Sequence, residues 1–456
     1  MKATVPRSFA LALLASATLG VVIVPSRGHY RADSMVLVFA ALGVVLWLLV
    51  DFLRARPTEL AATRVERIVL GVLGVFTLSA FIDARLLIDV ERPWWTLRSL
   101  SIAELALLAT YLRAPSPEGS RWPTIRFALF GLCLLLAGVE TVRLSPIPHI
   151  DVWTVQTYGV RALLEGKNPF VAVAVVDTAP EVVRDNVPYV YPPLQVLLTT
   201  PGYLLGDVRV TMGTALLVIG VSLRDLTLRS GRKLPALLLD APSLFVWLSP
   251  KLLFIFQQSW VDPVQIALIS AGTALAVRRR VWAAAVLFGL VLASKQTMFW
   301  VAPLVFVSFP IFRLRHAALA VCLPIVTYLP FALWNWPALL HANLGFVAGL
   351  PARPDALSFV NWAHLALGVH IPYAIAFPLA GSMVGYVVLR RRAQPHVFGV
   401  ALLFTYFVFF TLNKWTFANY YFSLLGMAAL GAAMALHRGP INEPARAAPA
   451  PPPSAS

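Results

Sequence analysis

The sequence predicts an all-α, polytopic membrane fold of about 13–14 transmembrane helices, and three observations carry that prediction. Of the 456 residues, 59% are hydrophobic and 13% charged, and the mean hydropathy is +0.76. The apolar residues gather into runs long enough to cross a hydrocarbon core roughly 30 Å thick, and no polar stretch between them is large enough to bury a core of its own. The basic residues, which give a net charge of +16, fall mainly in alternate connections. That placement marks the cytoplasmic loops of a membrane protein and argues against a nucleic-acid partner.

In chain order, runs at 9–24, 34–50, 68–82 and 100–112 form a first group of about four transmembrane helices within residues 1–120. A second group, within 121–437, covers 127–142, 191–206, 208–223, 234–256, 263–277, 281–293, 297–312, 317–334, 371–389, 397–412 and 417–436. Their lengths and lack of turn signals read as helices. Lys2 and Arg7 precede a run ending in Ala15, Ser16 and Ala17, which imitates a secretory signal; we read it as an uncleaved first span. Residues 438–456 are rich in Ala and Pro and have too little apolar bulk to fold, so they read as a disordered cytoplasmic tail. Cys133 and Cys322 lie inside apolar runs and form neither a disulfide framework nor a metal-ligand pattern.

With a cytoplasmic N-terminus, the basic connections at 54–67, 113–126, 224–233, 278–280, 313–315 and 390–392 are all cytoplasmic, as are both termini. The sequence therefore reads as a multi-pass protein of the plasma (inner) membrane whose active face is extracytoplasmic. Parity requires an odd number of crossings between Asp151 and Arg224, where two apolar runs lie. The run that follows Tyr191, Pro192 and Pro193 is accordingly read as interfacial or re-entrant, which protein or a wet cavity must surround.

The longest non-spanning interval, the outer loop 144–190, opens on His149 and Asp151, carries Tyr158, Arg161, Lys167 and Asn168, and leads through Tyr189 to Tyr191. Later outer turns bring Gln258 and Asp262, then Lys295 and Gln296, then Lys414 and Asn419, while the outer loop 335–371 adds Asn343, Arg353 and Asp355. That inventory suits sugar chemistry: amides and carboxylates bond hydroxyls, aromatic faces stack on sugar rings, and cations hold phosphate. Glycosyl transfer needs a carboxylate within reach of the acceptor hydroxyl and positive charge where the leaving phosphate develops its own. Asp151 meets the first need as catalytic base. Lys295, Lys414, Arg161 and His149 are the candidates for the donor phosphate, and Tyr158, Asn168, Tyr189, Tyr191, Gln258, Asp262 and Gln296 for substrate contacts. Each has a plainer reading: Asp151 suits a helix cap, the lysines suit snorkelling toward headgroups, and the aromatics suit an interfacial belt. The outer histidines lack metal-ligand spacing, so no metal is expected. Nor does a Gly-rich phosphate loop point to a nucleotide cofactor.

In order along the chain, Asp151, Tyr158, Gly166, Asn168 and Pro169, then Tyr191, Pro192 and Pro193, resemble the pattern of the GT-C superfamily of integral membrane glycosyltransferases. The closest likeness is to glycosyltransferase family 87, the polyprenol-phosphate-mannose-dependent alpha-mannosyltransferases. In place of that family's Gly-Gln-x-Asn turn stand Gln257, Gln258, Ser259, Trp260, Val261 and Asp262, and a Gly-rich span ends at Lys295 as family members tend to have it. The resemblance covers roughly residues 125–436 and makes 121–437 a GT-C-like catalytic core. It implies a polyprenyl-phosphate-linked sugar donor, a lipid or glycan acceptor reached from the outer leaflet, activation of that acceptor by Asp151, and inversion at the anomeric carbon. Tyr191 and its neighbours would shape the entrance for the lipid phosphate. Two other readings of the residues stand beside it. One is a transporter or flippase without a carboxylate proton relay, since Asp355 is the single acidic residue between Pro263 and Pro440; the other is a non-catalytic scaffold that binds lipid-linked intermediates.

Overall fold

The computed structural model describes residues 3–26, 29–54, 58–82, 95–113, 119–148, 150–178, 183–391 and 393–437. The expected tail at 438–456 and His149 lie outside them. The first five helices are α1 (Arg7–Val22), α2 (Ala32–Leu53), α3 (Ala62–Ile82), α4 (Trp95–Ala109) and α5 (Trp122–Leu144). There follow α6 (Asp151–Leu164), α7 (Pro193–Leu204), α8 (Arg209–Leu228), α9 (Ala236–Trp247), α10 (Leu252–Gln257), α11 (Asp262–Val277), α12 (Val281–Ser294) and α13 (Val301–Ser308). The last are α14 (Leu314–Leu340), α15 (Phe346–Gly349), α16 (Phe359–Leu367), α17 (Ala376–Arg390), α18 (Phe398–Thr411) and α19 (Ala418–Ala435).

Among the described residues, six stretches are long and apolar enough to cross a membrane: Ala32–Leu53, Ala62–Ile82, Trp122–Leu144, Arg209–Leu228, Leu314–Gly345 and Tyr373–Arg390. They point large apolar side chains outward, among them Val36, Ile68, Val139, Val221, Leu333 and Leu389. Exposed apolar area on that scale is what lipid contact requires and what a soluble surface avoids. Other apolar helices, such as α1, α9, α11 and α12, have 10–17 residues. α7 has 12 residues, roughly 18 Å of rise, well short of a hydrocarbon core about 30 Å thick.

The centre of the bundle is α19, whose residues from Tyr421 to Ala435 are all buried. α1 lies against it, and Ser16 Oγ donates to Leu425 O at 3.2 Å. On its other sides α19 meets α18, α11, α8 and α9. Small residues set these distances: a Cβ built on Gly399 of α18 would sit 2.6 Å from the Gly431 Cα of α19 and 2.8 Å from its nitrogen. Both atoms are backbone and cannot swing aside. Gly399→Ala is therefore expected to destabilise the protein by about 1–3 kcal/mol through overpacking. Gly385→Ala, whose Cβ meets nothing within 4 Å, serves as the matched control in thermal unfolding.

Among the described residues, two short antiparallel ribbons interrupt the helices. β1 (Thr4–Pro6) pairs with β2 (Glu59–Ala61). Between α6 and α7, β3 (Val173–Thr178) pairs with β4 (Val183–Pro188), Val173 opposite Pro188 and Thr178 opposite Val183. The mixed residues of that loop are thus a hairpin, favoured by β-branched valines at 173, 175, 176, 183 and 187. The loop 335–371 is likewise built: α14 breaks at Asn335 (φ −160°, ψ 90°). Asn335 Oδ1 accepts from Ala338 N at 3.0 Å, so that it caps the continuing helix. A single-turn π stretch, His341–Gly345, then leads into α15.

Candidate functional site

The connection between α5 and α6 is tied down by Arg209. This guanidinium, fully buried, pairs with Asp207 at 2.6 Å and donates to the carbonyls of Ser145 at 2.8 Å and Pro146 at 3.3 Å. From there the chain enters α6 through Ile150, which is extended (φ −146°, ψ 143°), and Asp151 is the first helical residue. Asp151 Oδ1 accepts from Val152 N at 2.8 Å. The side chain is exposed, yet enough protein surrounds its carboxyl that desolvation pushes its pKa up; the Arg353 guanidinium opposes that rise. A carboxylate that reaches solvent and is still desolvated sits in a recess.

Arg353 is held by a bidentate pair with Asp355 at 2.8 and 2.6 Å, and its guanidinium lies over Phe417 at 4.9 Å and Trp415 at 5.5 Å. Asp355 also takes His29 Nδ1 at 3.0 Å. The segment carrying Arg353 is pinned from α19 and the turn before it, where Trp415 Nε1 donates to Pro351 O at 2.6 Å and Tyr421 OH to Leu357 O at 2.7 Å. Lys414 belongs to this staple: its Nζ donates to Leu350 O at 2.6 Å and Ala348 O at 3.1 Å.

The second centre is Asp262, the first residue of α11 and 1% exposed. Its carboxylate accepts three hydrogen bonds of 2.9 Å, from Lys295 Nζ, Asn419 Nδ2 and Ser423 Oγ. Lys295 follows the last residue of α12 in extended backbone (φ −156°, ψ 137°), which lets its side chain turn inward instead of continuing the helix. Its ammonium lies 4.6 Å from the centre of the Tyr420 ring. Asn419 and Ser423 stand four residues apart on α19 and so share a face. The tight turn before Asp262 places the non-glycine Ser259 at φ +58°, a sparsely populated conformation, and Gln156 of α6 donates to Ser259 O there. The helix that begins with Asp151 is thereby docked on the turn that carries Asp262.

Tyr191 lies close enough to both carboxylates to feel their charge. Burial pushes its phenol pKa up, and the charges of Asp151 and Asp262 both add to that rise. Gln296 Nε2 donates to Val190 O at 3.0 Å and Asn343 O at 3.2 Å, while Asn343 Nδ2 reaches Tyr191 O at 3.4 Å. Tyr189, 2% exposed, packs against Phe170 and Tyr191, so close to α6 that Gly159 has no room for a Cβ.

The structure therefore gathers Asp151, Tyr189, Tyr191, Asp262, Lys295 and Gln296, with Lys414 behind the Arg353 segment. Arg161 is not among them: it pairs with Glu165 at 2.9 Å on the exposed side of α6, roughly 15 Å along the helix axis from Asp151. Tyr158, 41% exposed, lies on the same exposed side as Arg161 and Lys167. Asn168 closes the turn after α6, its Oδ1 accepting from Phe170 N at 2.9 Å. Gln258 is buried with both amide atoms unpartnered, in the turn before Asp262. Sequence reasoning assigned Asp262 and Lys295 separate tasks and gave no role in the site to Arg353, Asn343, Ser423 or Tyr420. Only the position of Arg353 and Asn343 in an outer loop signalled them; Ser423 reads as part of a span.

Fold and site together define a predominantly helical protein with membrane-length apolar helices and two carboxylates, one recessed and one buried, both near enough to Tyr191 to act on its phenol. Comparison of the chain with protein-family models, with curated proteins and with solved structures finds no match.

Proposed function

We propose that this protein is a membrane-embedded glycosyltransferase of the GT-C type, with the full set of about 13–14 crossings and both termini cytoplasmic. It moves a sugar, mannose as the sequence resemblance implies, from a polyprenyl phosphate to an extracytoplasmic lipid or cell-envelope glycan. The observation that supports this most is the state of Asp151: a carboxylate with no cation bonded to it among the described residues, reachable from solvent, hemmed in by protein, and near a tyrosine, Tyr191, that also feels the charge of Asp262.

In this reading Asp151 takes the proton of the acceptor hydroxyl as that oxygen bonds to the anomeric carbon. The bond from that carbon to the phosphate oxygen breaks, and its electron pair leaves with the polyprenyl phosphate. Arg353 and Lys295 supply positive charge. Lys295 has three donors, of which Asp262 takes one, and Arg353 acts on the recess from the side. Tyr191 and Gln296 fix the wall between them. The test is transfer of radiolabel from polyprenyl-phosphate mannose, and from other polyprenyl-phosphate sugars, to lipid or glycan acceptors in vesicles carrying the purified protein. Absence of transfer from every donor would overturn the proposal.

The buried Asp262–Lys295 pair, held between α11, α12 and α19, favours a second reading as a lipid translocator, because ionisable groups inside a bundle often line a substrate path. Movement of lipid-linked sugar across vesicles without transfer would select it.

A pH profile adds a signed expectation. A general base works ionised, and burial raises the pKa of Asp151 above the usual carboxylate value of about 3.9. The rate is therefore lost as pH falls through a limb lying above that value. Arg353→Gln removes the charge that opposes the rise, so the limb in kcat/KM is expected to move to still higher pH.

A further inference from the structure

A different polar site lies where α3, α4 and α5 meet the end of α9 and the turn after it. Thr77, Ser101, Glu104, Ser249 and Lys251 line a crevice there among apolar side chains that include Trp247. It holds about 50 Å³, room for a small charged head, since one water needs roughly 10–15 Å³ on that measure. Leu134 and Ala137, from the second half of α5, form part of its wall. The crevice is therefore toward the end of the bundle where the chain leaves for Asp151.

Glu104 is the single acidic residue of α4, an otherwise apolar helix but for Arg98 and a few hydroxyls. Among the described residues it has no hydrogen bond or ion pair. An ionisable side chain at membrane depth is expensive and is kept where a ligand or path uses it. The hydroxyl oxygens around it can accept. Ser249 is 4% exposed and its Oγ has no partner. Thr77 and Ser101 spend their hydroxyl protons on Leu73 O at 3.0 Å and Leu97 O at 3.3 Å, which leaves their oxygens able to accept. A carboxylate beside hydroxyl oxygens matches a primary ammonium, which brings three N–H donors and no acceptor.

We propose that this crevice binds the headgroup of a zwitterionic aminophospholipid, with its primary ammonium on Glu104 and the hydroxyls. The site is independent of the chemistry at Asp151. It would clamp the N-terminal helices to the rest of the bundle through a lipid.

The test uses the purified full chain in nanodiscs made from equal parts of phosphatidylethanolamine, phosphatidylcholine and phosphatidylglycerol, with retained lipid counted by native mass spectrometry after mild delipidation. Phosphatidylethanolamine is expected to be retained roughly ten-fold over phosphatidylcholine, the discrimination that one charge-assisted hydrogen bond supplies, because a trimethylammonium donates none. Glu104→Gln removes the charge at nearly constant volume and is expected to bring that ratio close to one with an unchanged or higher thermal midpoint. Ser249→Ala is expected to lower it by a few-fold. Equal retention of the three lipids by the wild type, or an undiminished phosphatidylethanolamine preference in Glu104→Gln, would overturn the proposal.

Discussion

Asp151→Asn is expected to lower sugar transfer by roughly 10²–10⁴-fold, the contribution of a positioned general base, while leaving the protein folded. The structural side of the argument is short. Asp151 Oδ1 accepts from Val152 N, and an Asn Oδ1 accepts from the same donor, so the start of α6 is kept. Among the described residues no cation loses a bonded partner, because Arg353 is already paired with Asp355. The change removes only the ability to take a proton, and it should spare donor binding: the loss is predicted in kcat, with KM for the polyprenyl-phosphate sugar within a few-fold. Asp151→Glu keeps the charge and shifts it by one methylene, so it should retain more activity than the Asn variant. Equal transfer by wild type and Asp151→Asn in the same vesicles would remove Asp151 from the mechanism, and the recess around it would then be read as a helix cap.

The helical framework was legible because length and apolarity are properties of single segments. The runs read at 34–50, 127–142 and 417–436 are α2, α5 and α19 within a few residues, and the packing of each adds little to what its composition already requires. The hairpin β3–β4 was not legible: a six-residue ribbon has too few positions to separate alternation from a mixed loop. Site residues were found one by one on the outer connections, but their pairing was hidden. Lys295 and Asp262 are 33 residues apart in sequence and meet because α12 ends where α11 begins, which is set by helix packing. Lys414 looked like a free cation for the same reason. The carbonyls of residues 348 and 350 that occupy it are backbone groups, and every residue has one, so no side-chain pattern announces them.

The Asp262–Lys295 pair gives the largest expected loss of stability. Both side chains are buried, at 1% and 8% exposure, so removing one charge leaves the other desolvated and uncompensated. Lys295→Met is expected to cost about 3–5 kcal/mol, read as a fall in thermal midpoint. Asp262→Asn is expected to cost less, because the amide still accepts from Ser423 or Lys295 through its oxygen while its NH₂ faces Asn419, whose own oxygen can turn to accept. The double variant Asp262→Leu with Lys295→Met replaces the pair by apolar side chains and is expected to recover most of the stability, as buried ion pairs exchanged for packed hydrophobes commonly do. The cycle separates two roles. A pair that serves only to specify the fold would leave the double variant stable and as active as the wild type. A pair that turns Lys295 toward the departing phosphate would leave it stable and slow, because charge at the point where the leaving oxygen becomes negative is worth most in the transition state. We expect the second outcome, with transfer reduced roughly 10²-fold or more: Lys295 keeps two donors beyond the one on Asp262, and Tyr191 lies close enough to feel the charges of both Asp262 and Asp151.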